Sequence, residues 1–282
     1  MKKIVALTLT LAMAFSMVAC GAKTEEAPAA TEEVVVETTE EVATEETTDA
    51  ETEATADAET AATADVKSEG VMTYEEYAAA ELDTEVVVET YVQAKQSWWE
   101  DKATVYTQDK DGAYFLYELA CSEEDYAKLV PGTKIKVTGY KGEWAGEVEI
   151  MDGTFEILEG SYIAEAEDMT ALLASEELIN HQNKFVAFKG MTVEASKDAE
   201  GNDVAFLYNW DGSGEDGNDL YFNVSLDGQT YTFTVESYLC DNTTDVYAAV
   251  KNLQIGDVVD MEGFLYWYEG VNPHITSLTV VE

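Results

Sequence analysis

Five tryptophans carry most of the chemical information in this chain, because little else in it is spaced to react or to ligate. Trp98 and Trp99 are adjacent, Trp144 follows a strand candidate, and Trp210 and Trp267 occupy comparable stretches further on, the last with Tyr268 beside it. Flat aromatic faces hold sugar rings or apolar side chains without cationic partners. These six residues are therefore the candidate ligand-binding residues, set against the plainer account that several of them plug the ends of a barrel. A second candidate is the loop from Asn209 to Asp219, where Asn209, Asp211 and Ser213 alternate before Gly214, as at the start of an EF-hand calcium loop. The twelfth position is Leu220 where that loop needs a bidentate Glu, so an exposed acidic loop is the simpler expectation. If calcium binds, Asp211, Ser213, Glu215 and Asp219 are the expected ligands.

Catalytic constellations are missing from the pattern. His181 and His274 are the only histidines, and neither stands in a metal-ligand spacing. Cys121 and Cys240 have no base close by in sequence, and no Gly-x-Ser-x-Gly elbow occurs. Both cysteines follow the third strand candidate of their own stretch, so free thiols are expected rather than a bridge. Carboxylates are too numerous for any pair to be singled out without coordinates. A non-catalytic binding protein without an obligate cofactor is the expectation.

Charge narrows the ligand. The formal net charge is −43 and all fifteen basic residues are lysine. Arginine supplies the bidentate fork for phosphate and the stacking plane for bases, so nucleic acid is an unlikely partner. Lys134, Lys136 and Lys141 form the one basic cluster, and they alternate with core residues along a strand. A solvated strand face is a simpler account of them than a nucleic-acid groove.

The elements that must position these residues come from a repeat. Leu129–Tyr140 returns as Leu253–Phe264 in one register, pairing Gly132 with Gly256, Ile135 with Val259, Val137 with Met261 and Gly139 with Gly263. In each copy a Gly-containing turn enters a strand with apolar alternate residues, and the later glycine marks a bulge. Around it the first copy reads as a capped helix from Thr73, strands over 84–95, 103–107 and 113–119, a helix capped by Ser122, then two more strands. The second copy has its first strand at 184–195, an inserted strand candidate at 204–208, a hairpin through Asp227-Gly228 and a helix within 243–252. Five strands with a helix between the third and fourth is the order of the OB-fold. The fold class expected is all-β with short helices, two tandem five-stranded OB-like barrels over 71–160 and 161–282. A β-sandwich of the same length is the alternative.

The stretches Thr73-Tyr-Glu-Glu-Tyr-Ala-Ala-Ala, Tyr91-Val-Gln-Ala-Lys-Gln and Gly132-Thr-Lys-Ile-Lys-Val-Thr-Gly resemble those of tandem OB-fold lipoproteins of Gram-positive, clostridial-type gut bacteria. The resemblance covers most of 72–160 and, more loosely, 169–282. It implies the fold and brings no established activity. Residues 1–20 read as a basic start, an apolar run and a small residue before Cys20, and Met17-Val18-Ala19-Cys20 resembles the bacterial lipoprotein box. That implies lipidation of Cys20 and attachment to the outer face of the cytoplasmic membrane, since two acyl chains hold a protein stably at a bilayer. Residues 21–70 are almost wholly Glu, Thr, Ala, Asp and Val without an aromatic, and read as a disordered acidic linker. Three functions remain in view: binding of a glycan, cell-wall fragment or peptide; an envelope scaffold with a protein partner; and single-stranded nucleic-acid binding.

Overall fold

Period-two alternation builds the first barrel. The computed structural model describes residues 67–281. The expected signal peptide, the expected lipidation site Cys20 and nearly all of the acidic stretch lie outside the described residues. Within the last residues of that stretch, Lys67 touches the first barrel: its ammonium lies 2.5 Å from Asp109 Oδ2 and 2.8 Å from the Glu89 carbonyl oxygen. Helix α1 (Tyr74–Ala79) starts in the expected capping box of Thr73 and Glu76. Strand β1 (Glu85–Lys95) turns Val86, Val88, Thr90 and Val92 inward. Strands β2 (Lys102–Gln108) and β3 (Ala113–Ala120), helix α2 (Glu123–Tyr126), and strands β4 (Thr133–Trp144) and β5 (Glu147–Ser161) follow. The strands close in the order β1-β2-β3-β5-β4, with β3 parallel to β5 and the other pairs antiparallel. That closed order, with a helix between the third and fourth strands, is an OB-fold, and it excludes the sandwich.

The second barrel repeats this path with insertions. After β6 (Glu167–Asp168) and two short 3-10 turns come β7 (Phe185–Glu194), β8 (Ser196–Lys197), β9 (Asp203–Val204), β10 (Leu207–Tyr208), β11 (Leu220–Leu226) and β12 (Gln229–Val235). Helix α3 (Asp245–Lys251), β13 (Val258–Phe264) and β14 (His274–Val281) complete it. Pairing of β11 with β7 closes the ring β7-β11-β12-β14-β13, strand for strand the order of the first barrel. The inserted strand expected over 204–208 is two fragments with different partners, β9 on β8 and β10 on β11. The repeated glycines sit where expected: the ladder slips beside Gly139 and beside Gly263. A Cβ on Gly263 would collide with the His274 carbonyl oxygen, so the approach of β14 to β13 depends on a residue without one.

Strand β2 is buried on both faces, which alternation alone does not predict. Ala103 and Val105 point into their own barrel, while Tyr106 points outward into a second cluster with Phe115 of β3 and Phe264 of β13. Tyr106 stacks on Phe264 at 4.5 Å between centroids, and its hydroxyl shares a 2.6 Å hydrogen bond with His274 Nδ1. Polar clasps surround this cluster. Gln108 Oε1 accepts from the Phe185 backbone at 2.7 Å. Gln182 accepts from Val148 N and donates to the Gly146 carbonyl oxygen, and Asn183 donates to the Val148 carbonyl oxygen. The first barrel thus uses the outer surface of β2 and β3 to hold the second, and all described residues fall in one compact unit.

Glu147 sits inside this junction with no exposed surface. Its Oε2 accepts from Trp267 N at 2.9 Å, while its Oε1 and the neighbouring Asn183 Oδ1 have no hydrogen-bond partner. Burial pushes the Glu147 carboxyl up to about 9, outweighing the contacts from Asn183 and Trp267 that favour its charged form. The folded chain therefore keeps a proton that the unfolded chain has lost above the usual carboxylate range, so this group's contribution to stability falls as pH rises towards 9. His274 runs the other way: burial pushes it down to about 3, and its contribution rises with pH until the unfolded ring has lost its proton. Between about pH 7 and pH 9 the His274 contribution is flat, and Glu147 adds its loss to those of Glu149 and Glu236, pushed up to about 7, and of the Cys121 and Cys240 thiols, pushed up to about 11. Chemical denaturation should show stability falling across that range in the parent chain. Glu147→Gln keeps an acceptor for Trp267 and carries no charge at any pH, so it should reduce the slope and gain at least about 1.4 kcal/mol near pH 9, the equivalent of one pKa unit. An unchanged slope would contradict the protonated carboxyl.

Candidate functional site

The second barrel's strand-two and strand-three surface is left open, and it forms one wall of a cleft of about 990 Å³. Alternation in β11 and β12 sends Phe222, Val224 and Phe233 inward and leaves Tyr221, Asn223, Thr232 and Thr234 facing out. Tyr221 pairs across the ladder with Thr234 and Asn223 with Thr232, so the four form one patch. The loop between the first two strands adds Ser196, Lys197, Leu207 and Trp210. The loop between the last two adds Tyr266, Tyr268, Glu269 and Asn272. These are the positions from which OB barrels take ligands. The first barrel supplies Gln96 and Trp144.

Trp144 reaches the cleft because the β4–β5 hairpin of the first barrel docks on the last loop of the second. Glu269 N donates to the Ala145 carbonyl oxygen at 2.7 Å, and Trp144 meets Tyr268 at 5.1 Å between centroids. Gly146 lies under Trp267, where a Cβ would come within 2.9 Å of the indole, and its φ of +92° is one that side chains rarely adopt. Tyr266 stacks on His274 at 4.2 Å.

The expected ligand residues divide. Trp144, Trp210 and Tyr268 come together at the cleft, with Trp210 76% and Trp144 55% exposed. Trp99, 68% exposed, lines a smaller recess of about 400 Å³ with Thr104, Tyr117 and Tyr238. Trp98 is half-buried and its Nε1 donates to the Cys121 carbonyl oxygen at 2.9 Å, which makes it a strut rather than a platform. Trp267 does not lie within β13, which ends at Phe264, and packs against the second barrel's core while its neighbours Tyr266 and Tyr268 face the cleft.

Of the four calcium candidates, the carboxylates of Asp219 and Asp211 are engaged separately. Asp219 Oδ1 accepts from both the backbone and the hydroxyl of Ser237 at 2.8 and 2.6 Å. Asp211 Oδ1 accepts from Ser213 N within its own turn, and Glu215 N donates to Asn218 Oδ1. Among the described residues no three His, Cys, Asp or Glu side chains gather as a metal would require. Cys121 and Cys240 are buried free thiols, each pushed up to about 11, first by burial.

Electrostatics of the cleft are acidic. Asp219, Glu236 and Glu269 line it, the one lysine, Lys197, pairs with Asp203 at 2.7 Å, and His274 is neutral. Burial, then the charge of Asp219, pushes Glu236 up to about 7. Two lysines of the first barrel's basic cluster are committed elsewhere. Lys134 pairs with Glu89 at 3.0 Å, and Lys141 Nζ donates to the carbonyl oxygens of Tyr77, Ala78 and Ala80, supplying the end of α1 with the donors it lacks.

Sequence reasoning missed Tyr221, Asn223, Thr232 and Thr234, although the period-two pattern of their strands carries them. It could not find Gln96 or the meeting of Trp144 with Tyr268, which depend on how the barrels dock.

No protein-family model matches the chain, and no curated protein matches it. Solved structures are similar to it in chain path. The HIN2 domain of p202, in tetrameric form, is 12% identical, with a TM-score of 0.30, over 72% of this chain and 96% of that one. A murine DNA-binding protein bound to double-stranded DNA is 10% identical, with a TM-score of 0.31, over 70% of this chain and 95% of that one. A replication protein A heterotrimer bound to single-stranded DNA is 10% identical, with a TM-score of 0.31, over 75% of this chain and 52% of that one. The OB assignment rests on the chain's own strand order and parallel closure.

Platform and frame should separate on substitution. Trp210→Ala and Trp144→Ala, both exposed, should change unfolding free energy by less than about 0.5 kcal/mol. Phe264→Ala, 3% exposed between the barrels, should cost about 3–5 kcal/mol. Urea melts of the three variants check this, and a large loss in Trp210→Ala would make that ring structural.

Proposed function

We propose that the chain is a non-catalytic, lipid-anchored extracytoplasmic binding protein that takes a glycan in the cleft on the second barrel. The observation that carries the reading is the company kept by Trp144, Trp210 and Tyr268: exposed rings around a patch of amide and hydroxyl side chains. Sugar rings stack on the first and hydrogen-bond to the second. A peptide adding a strand would have to use the edge of β12, which meets β14 only at Thr234, because β11 is paired on both sides. The anchor is the lipidated Cys20, with the acidic stretch as spacer.

Single-stranded nucleic acid is the rival, since bases also stack on rings and OB barrels take oligonucleotides on this same face. Three carboxylates and a committed lysine oppose a phosphate backbone there. A scaffold role draws on the exposed pair Val258 and Val281, opposite each other at the far ends of β13 and β14.

Tryptophan fluorescence of the full chain, titrated with wall polysaccharide fragments and with oligo-dT at low salt, separates these. The expected result is a saturable shift with a glycan that weakens at least about tenfold in Trp210→Ala, the loss of one stacking face. Saturation by oligo-dT with a steep salt dependence, and none by glycans, would replace the glycan with nucleic acid.

A further inference from the structure

The 990 Å³ cleft and the 400 Å³ recess are lined by a common residue, Gln96. Gln96 follows the last residue of β1, and the next residue, Ser97, donates its backbone N–H to the Tyr238 carbonyl oxygen at 2.7 Å. Tyr238 stands two residues beyond Glu236 of the cleft and itself lines the recess. The two hollows therefore adjoin along the seam between the barrels. Beyond Gln96 the recess presents Trp99, Tyr117 and Tyr238, with Tyr238 65% and Tyr117 41% exposed. This is the part of the first barrel's strand-two and strand-three surface that the second barrel leaves uncovered.

The cleft is acidic and the recess is balanced: Asp219, Glu236 and Glu269 line the cleft, whose Lys197 is paired with Asp203, and in the recess Lys102 is paired with Glu118. Glu236 is 8% exposed; its Oε1 accepts from Tyr238 N at 3.1 Å, while its Oε2 makes no hydrogen bond of ordinary geometry although the Gln96 side chain is close to it. A buried carboxylate oxygen short of a donor, set beside exposed rings, suits a ligand that brings its own cationic donor.

We propose that the cleft and the recess are one track for a linear polysaccharide of amino sugars with free amines, running past Gln96 from Trp210 and Tyr268 to Trp99 and Tyr117. The inference rests on the glycan reading above and adds two properties to it, chain length and positive charge. Rings at both ends of the track stack on successive sugars, and the carboxylates between them face the ammonium groups.

Calorimetric titration of the full chain with β-linked glucosamine dimer, tetramer and octamer, with the fully N-acetylated octamer, and with a lysine octapeptide tests it. The octamer should bind at least about tenfold more tightly than the tetramer, because occupying the second hollow becomes intramolecular. N-acetylation should cost about tenfold, the loss of a charge-assisted contact. Trp99→Ala and Tyr238→Ala, both at exposed rings, should each bring the octamer down to the affinity of the tetramer. Equal affinities for tetramer and octamer, or for free and acetylated octamer, would overturn the track while leaving glycan binding in the cleft intact. A lysine peptide binding as tightly as the octamer would overturn the choice of a polysaccharide. Failure of every glycan, charged or neutral, would fell the underlying reading and the track with it.

Discussion

The hydrogen bond between Tyr106 and His274, with Phe264 stacked on one ring and Tyr266 on the other, is the contact on which the rest of this structure depends. It joins β2 of one barrel to the first residue of the other barrel's last strand. An OB barrel of this size has a modest core of its own, and the aromatic cluster lets two such barrels share buried surface. The cost is polar: His274 loses its charge, and Glu147 sits without water beside Asn183. Burial holds each in its neutral form.

Docking decides which surfaces are free. The first barrel gives up most of its strand-two and strand-three surface to the second, keeping a remnant around Trp99 and Tyr117. The second keeps its own, and the docked hairpin completes it with Trp144. One recognition surface is thus assembled from unlike parts of two like domains. Trp98 and Trp267, next to Trp99 and Tyr268 in sequence, are structural: Trp98 is tied to Cys121 within its own barrel, and Trp267 packs on the second barrel's core above Gly146 of the first.

The architecture was legible because its determinants are local. The repeated Gly139 and Gly263 bulges, the Asp-Gly turn of the β11–β12 hairpin, the Ser122 cap and the Thr73–Glu76 box each specify one feature through sterics or a single hydrogen bond, and all are found. The site was legible only in part. Trp144, Trp210 and Tyr268 stood out as residue types, but nothing local says that a residue of the first barrel faces two of the second. The Lys141 cluster misled for the same reason: its alternation with core residues is local, whereas its use as a cap for α1 is tertiary. The acidic loop of Asp211 and Asp219 suggested calcium by spacing, and the pairing of Asp219 with Ser237 depends on where β12 ends.

If the two barrels form a single body in solution, His274 is shut away from water. The most direct measurement is the ring proton resonance of His274 followed by NMR from about pH 8 to about pH 5, the range in which an accessible imidazole takes up its proton. The account predicts no titration there, because burial puts the group at about 3. A titration centred near the ordinary histidine value of about 6.5 would mean that the ring is in water, that the Tyr106 contact is open, and that the cleft built across it is not a fixed feature of the protein.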